Sequence, residues 1–359
     1  MVFLIRVQLR EDYSNLIFYL SPLVAVALTL FFGSFIFLIL DLSPIESFKI
    51  FFISPISNSY GISELFVKAT PLAIIALGLS YCFKNNIYNI GAEGQLTMGA
   101  IFGGGIGLLF NDSTSVFLLP LMILFGAIGG AFWATIPAIL KTKFNTNEIL
   151  TSLMLTYVAL FILDYFVVGP WKDPAGYGLP KSMPFPDAGR LPVLIDGLRV
   201  HIGVYFALII CLITYIIYNK TLFGFKLKVS GLSSKASQYA GFKYKNLIFY
   251  TFIISGACAG LAGLFEVSGP IGLLYRDISP NYGFTAIIVA FLARLNPLAA
   301  IPAGLIVALA ELGGDSVQIS MGMPKVVTGV FKGLLLLSLL AGETFNRYHI
   351  KFDFKKGNK

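Results

Sequence analysis

Charge is what this chain of 359 residues has least of. Only 12% of it is Asp, Glu, Lys or Arg, against ~25% in a soluble globular chain. That shortage excludes a large water-facing surface. Histidine is nearly absent, with His201 and His349 both at the ends of apolar runs. The cysteines Cys82, Cys211 and Cys258 lie inside such runs. None of these spacings suits a metal ion or a disulfide framework. The Gly-Lys dipeptide does not occur, which excludes a P-loop of the form GxxxxGK[ST]. GxSxG, HExxH and CxxC are missing too, so no hydrolase, zinc-protease or dithiol signature is present. No cofactor is expected in this chain.

What is there is apolar, and it comes in blocks. Hydrophobic residues make up 57% of the chain. About 20 of them in a row span a hydrocarbon core as a helix, and the lack of strict alternation argues against a membrane β-barrel. Ten spans are expected: 16–40, 65–83, 87–110, 116–140, 148–169, 202–219, 246–266, 283–295, 298–313 and 325–342. The pair 283–295 and 298–313 is short and separated by Asn296-Pro297, so it also reads as a re-entrant pair. The first run is too long for the core of a signal peptide and reads as a retained span. The fold expected is all-α, one polytopic transmembrane domain over 1–359.

The net charge of +8 is not a nucleic-acid signal, because its distribution follows topology. With the N-terminus inside, Arg6, Arg10, Lys141, Lys143 and the basic tail from Arg347 to Lys359 all fall on the cytoplasmic side, where Lys and Arg accumulate. The 220–245 loop falls there as well, with six lysines and no acid. Both termini are expected in the cytoplasm of a cell (inner) membrane protein, in contact with lipid. The 170–200 segment, rich in Pro and Gly, is the long external loop.

The polar residues inside spans carry the chemistry, since a carboxylate there costs at least ~2.5 kcal/mol and turns toward the bundle or a cavity. Asn89, Glu93 and Gln95 stand near the start of one span, with Asn89 and Glu93 spaced to share a helix face. Gly91, Gly94, Gly99 and Gly103 to Gly105 invite close backbone approach. Asn147, Glu148 and Glu266 are further candidates for pathway lining or for helix clamps. Asp164 is also intramembrane, and Lys332 needs an acid, with Glu311 at a suitable depth. In the basic loop, 233–241 reads as a short helix capped by Ser233 or Ser234 and ended by Gly241. Ala236, Tyr239 and Ala240 share one of its faces.

These stretches resemble a known family. NIGAEGQLTMGA (89–100), TNEILTSLMLTYVA (146–159), FGFKLKVSG with SKASQYAGF (223–242), SGACAGLAGLFEVSG (255–269), YGFTAIIVAFLARLNP (282–297) and GMPKVVTGVFKGLLLL (322–337) occur in that order. Together they are similar to the permeases of the sugar and nucleoside branch of bacterial ABC importers, nearest to guanosine and general nucleoside uptake permeases. The resemblance implies a transport subunit and not an enzyme. It implies a cytoplasmic ABC ATPase that uses ATP and Mg, a second related permease and an external substrate-binding protein. It implies a coupling helix that meets the ATPase, carried here onto Lys235, Ala236, Tyr239, Ala240 and Gly241. The chain departs from the family at Lys228 to Gly231, at Leu292 to Leu295 and at Lys332. A nucleoside is the expected solute, with a pentose or hexose as the alternative. An ion-coupled secondary transporter, using Glu93 and Asp164, is the remaining rival.

Overall fold

A computed structural model describes residues 2–9, 15–324 and 326–355, with side chains from 24 to 342 except 325 and 340. In chain order its helices are α1 (Asn15–Ile39), α2 (Pro44–Phe52), α3 (Ser59–Lys84), α4 (Ala92–Leu109), α5 (Leu118–Phe144), α6 (Glu148–Val168) and α7 (Gly203–Lys220). Then follow α8 (Leu222–Leu232), α9 (Ser234–Tyr239), α10 (Tyr244–Glu266), α11 (Tyr282–Leu292), α12 (Pro297–Met321) and α13 (Val326–Arg347). Among the described residues α3, α5, α6, α7, α10 and α12 are long and apolar enough to cross a membrane, α10 counted through Ile271. Val24–Ile39, Tyr282–Leu292 and Val326–Leu339 are shorter apolar helical stretches. The molecule is an all-α polytopic helical bundle, as the apolar blocks require.

Several boundaries differ from the sequence reading. Helix α4 begins at Ala92, not at 87, because Asn89 folds its own side chain onto the backbone, accepting from the Gly91 N–H at 3.1 Å. Such local bonds compete with helix formation. Asn89 and Glu93 therefore do not share a helix face. Helix α11 has 11 residues, ~16 Å of rise, and cannot cross a ~30 Å core alone. Helix α12, at 25 residues, is full length and runs past the expected end at 313. The chain leading into α11 from Gly272 is non-helical, yet Leu274 and Ile278 are buried. Irregular backbone of this kind survives at membrane depth only when protein covers it. Helix α8 was not anticipated.

Two compact units are distinguished: Pro55–Leu309, and the residues up to Ser54 with those from Ala310 onward. In the first, α4, α5 and α10 meet backbone to backbone. A Cβ on Gly99 would strike Gly260, one on Gly260 the Gly126 carbonyl, and one on Gly130 the Gly256 carbonyl. Helix α3 packs along α10 and is buried over nearly its whole second half. The 170–200 loop is ordered by bridges such as Val193 to His201 and sends Phe185 and Leu191 into the interior.

In the second unit α1 packs against α13, and Phe37, Phe51 and Phe331 form its aromatic centre. Phe331 lies 5.4 Å from Phe37 and 5.5 Å from Phe51 between ring centroids. Lys332 Nζ meets Glu311 Oε1 at 2.5 Å, the pairing expected from depth. A strand, β1 (Val2–Leu9), pairs antiparallel with β2 (Tyr348–Lys355), Val2 opposite Lys355. The sequence reading held no strand there, although Tyr348, Ile350, Phe352 and Phe354 alternate with polar residues at the strand period. Arg10, Lys356 and Lys359 of the basic tails lie outside the described residues.

Candidate functional site

The loop before α4 makes a closed polar knot. Asn89 Nδ2 donates to Gln95 Oε1 at 2.9 Å and to Ser255 Oγ at 3.0 Å. Gln95 Nε2 donates back to Asn89 Oδ1 at 3.0 Å. Both side chains are buried, so this amide pair ties the start of α4 to the middle of α10. Ser152 Oγ accepts from the Ile90 N–H at 3.1 Å, and Gly91 and Gly94 rest on Ser152 and Thr156 of α6.

Glu93 faces the other way. Its Oε2 accepts from the Gly283 N–H at 2.6 Å, in the first turn of α11. A helix start carries unpaired N–H groups and a partial positive charge. Asn281, the residue before α11, provides no side-chain cap, and Glu93 fills that place from α4. Gly283 is required for the approach, since a Cβ there would overlap the Glu93 backbone.

The other sequence candidates lie elsewhere. Asn147 caps α6, accepting from the Ile149 and Leu150 N–H groups at 3.0 and 3.3 Å. Glu148 pairs with Lys141 at 2.8 Å. Asp164 pairs with Arg276 at 2.7 Å. Glu266 ends α10, eleven residues beyond Ser255, about 16 Å along the axis. It is 9% exposed, and its Oε2 has no hydrogen-bond partner. The structure thus joins Asn89 and Gln95 in one knot, turns Glu93 away from it onto the start of α11, and leaves Asn147, Glu148 and Glu266 apart from both.

Around Glu266 stand residues that sequence reasoning missed. Arg199 Nη1 lies 3.1 Å from Glu64 Oε1, and Arg199 Nη2 donates to the Pro270 carbonyl at 3.0 Å. Ser63 Oγ accepts from the N–H groups of Arg199 and Val200, both at 2.9 Å. Lys68 and Arg199 set positive charge against Glu266. The available signal was Glu64 and Lys68, four apart and so on one helix face. Nearby His201 is buried, and burial first, then the Arg199 charge, pushes its imidazole down to about 4.

At the opposite end of α3, Ser230 of α8 hydrogen-bonds the Asn85 side chain and Gly231 abuts the Lys84 carbonyl. Ser233 caps α9, accepting from the Ala236 N–H at 3.2 Å, and Gly241 follows at φ +75. Ser237 is the buried face of α9, while Lys235, Ala236, Tyr239, Ala240 and Gly241 are exposed. Tyr239 is 95% exposed.

Residues 61–340 match the family described as branched-chain amino acid transport system / permease component. This chain belongs to that family. The permease is 35% identical to a glucose ABC transporter permease protein of Haloferax volcanii, over 95% of this chain and 92% of that protein. It is 29% identical to a guanosine ABC transporter permease protein of Bacillus subtilis, over 95% and 97%. It is also 29% identical to a nucleoside ABC transporter permease protein of Lactococcus lactis, over 86% and 88%. It is a multi-pass membrane subunit of an ABC importer, and a transport protein rather than an enzyme.

Proposed function

We propose that this permease forms the translocation pathway for a nucleoside. The Glu93–Gly283 cap carries the reading. A half-length helix that starts inside a bundle offers its positive end to an anionic group of the solute. Here the chain's own carboxylate already takes that end. The solute suited to such a bundle is polar and uncharged, as nucleosides are, and guanosine and nucleosides are the solutes named for two of the relatives. A sugar, also neutral, is the second reading, favoured by the 35% identity to a glucose permease.

The partners proposed are a cytoplasmic ATPase that binds ATP and Mg, a second related permease and an external binding protein. The exposed α9, with Tyr239 at its end, is the proposed ATPase contact. Pairing of β1 with β2 supports both termini on one face of the membrane, and the basic residues beside them favour the cytoplasmic face. This needs an even number of crossings, which ten satisfies if the non-helical lead and α11 together make one.

The test is uptake by proteoliposomes holding the permease co-purified with its native partners. ATP-dependent uptake of guanosine, competed by other nucleosides and not by glucose, is expected. Uptake of glucose alone selects the second reading. Uptake driven by an ion gradient without ATP overturns both.

A further inference from the structure

The end of α10 is unusual in three ways at once. The helix does not simply stop at Glu266 but widens into a π turn, Val267–Ile271, closed by Gly272 at φ +79. Such turns recur at functional sites because they aim side chains away from the regular ladder. Glu266 Oε2 is buried without a hydrogen-bond partner, an arrangement native proteins rarely leave without use. Its surroundings are also built and held. Arg199 is fixed by Glu64 on α3 and by the Pro270 carbonyl within the π turn itself. Its backbone is held by Ser63. Lys68, one turn along α3 from Glu64, adds a second cation.

That frame holds the Glu266 side chain in a buried polar setting and leaves one of its oxygens open to a partner. An anion would meet Glu64, and a cation would meet Lys68 and Arg199. A neutral partner fits. We infer that Glu266 Oε2 shares a hydrogen bond with a hydroxyl on the sugar ring of the transported solute, at a binding station between the end of α10, α3 and the Arg199 segment. The ribose of a nucleoside and the ring of a free hexose share that chemistry. The inference rests on the functional reading above and makes the sugar moiety, not the base, the group recognised here.

The experiment compares uptake of guanosine with its 2′-, 3′- and 5′-deoxy analogues, and of glucose with its monodeoxy analogues, in the proteoliposomes described. Wild type, Glu266→Gln and Glu266→Asp are measured beside one another. The wild-type complex is expected to disfavour one analogue by on the order of 10-fold or more, the usual effect of leaving a buried polar group without its partner. In Glu266→Gln and Glu266→Asp that discrimination shrinks to about twofold, while discrimination among the other analogues is unchanged. Preference among guanosine analogues places a nucleoside there, and preference among glucose analogues a hexose. Equal loss of uptake for every compound, unaltered discrimination, or failure of both variants to assemble makes the carboxylate structural and overturns the inference. Wild type that transports neither guanosine nor glucose removes the functional reading, and this one with it.

Discussion

The Gly283 N–H donates to Glu93 Oε2 at 2.6 Å across 190 residues of sequence. This bond makes the buried start of α11 part of α4. Glu93→Ala is expected to strand the helix start and cost about 1.5–3 kcal/mol, with a fall in both melting temperature and uptake. Gly283→Ala should do the same from the other side. Full uptake by both variants in reconstituted vesicles would refute the assignment.

The Asn89–Gln95 pair invites a double-mutant cycle. Either single change to Leu leaves a buried amide partly unsatisfied, at about 1–3 kcal/mol. The double change removes both amides and should cost less than the sum. Strict additivity in denaturation midpoints would show that the reciprocal bonds contribute nothing.

Lys332 and Glu311 are a buried ion pair, with side-chain exposures of 17% and 4%. Lys332→Met or Glu311→Leu alone should destabilise by about 3–5 kcal/mol, and the two together by far less. Thermal unfolding in detergent measures this, and a double variant as damaged as the singles would refute it.

His201 predicts an acid sensitivity. Its imidazole is held to about 4, against ~6.5 when unfolded. Between those values the unfolded chain binds a proton that the folded chain refuses. Stability therefore falls as pH drops through that window, by up to on the order of 3 kcal/mol. Nδ1 accepts from the Gly203 N–H at 3.1 Å, a bond that protonation would break. His201→Asn should flatten the melting temperature between about pH 7 and about pH 4, and an unchanged slope would assign the sensitivity to other groups.

Tyr239 is almost wholly exposed, so its truncation should leave the fold alone. Tyr239→Ala is expected to weaken ATPase binding by about 2 kcal/mol, as loss of a buried interface anchor does. Co-purification of the ATPase and substrate-stimulated hydrolysis report the loss. Wild-type values in both would make α9 a surface helix only.

The spans were legible because lipid leaves few alternatives to a long apolar helix. The caps of α9 and the Lys332–Glu311 pair were legible as well, one from local chemistry and one from depth. The start of α4 was misread because a side-chain amide outbid the helix ladder at Asn89, a contest that periodicity does not register. Helix α8 hid in Phe-Gly-Phe-Lys-Leu-Lys-Val-Ser-Gly, where Gly and Val lower helix propensity and its seating on Asn85 is a tertiary matter. The Ser63–Glu64–Arg199 cluster joins residues some 136 apart, and nothing local to either segment names the other.

The glycine contacts among α4, α5 and α10 bear on how a gate would work. Where Gly99, Gly130, Gly256 and Gly260 bring main chains together, backbone lies directly on backbone and leaves little to let one helix slide on another. Packing of this kind resists relative motion of the three helices, and the Glu93–Gly283 bond ties α11 to them. Any opening and shutting of a passage then falls to the seams around these helices, where larger side chains can swap rotamers and give way.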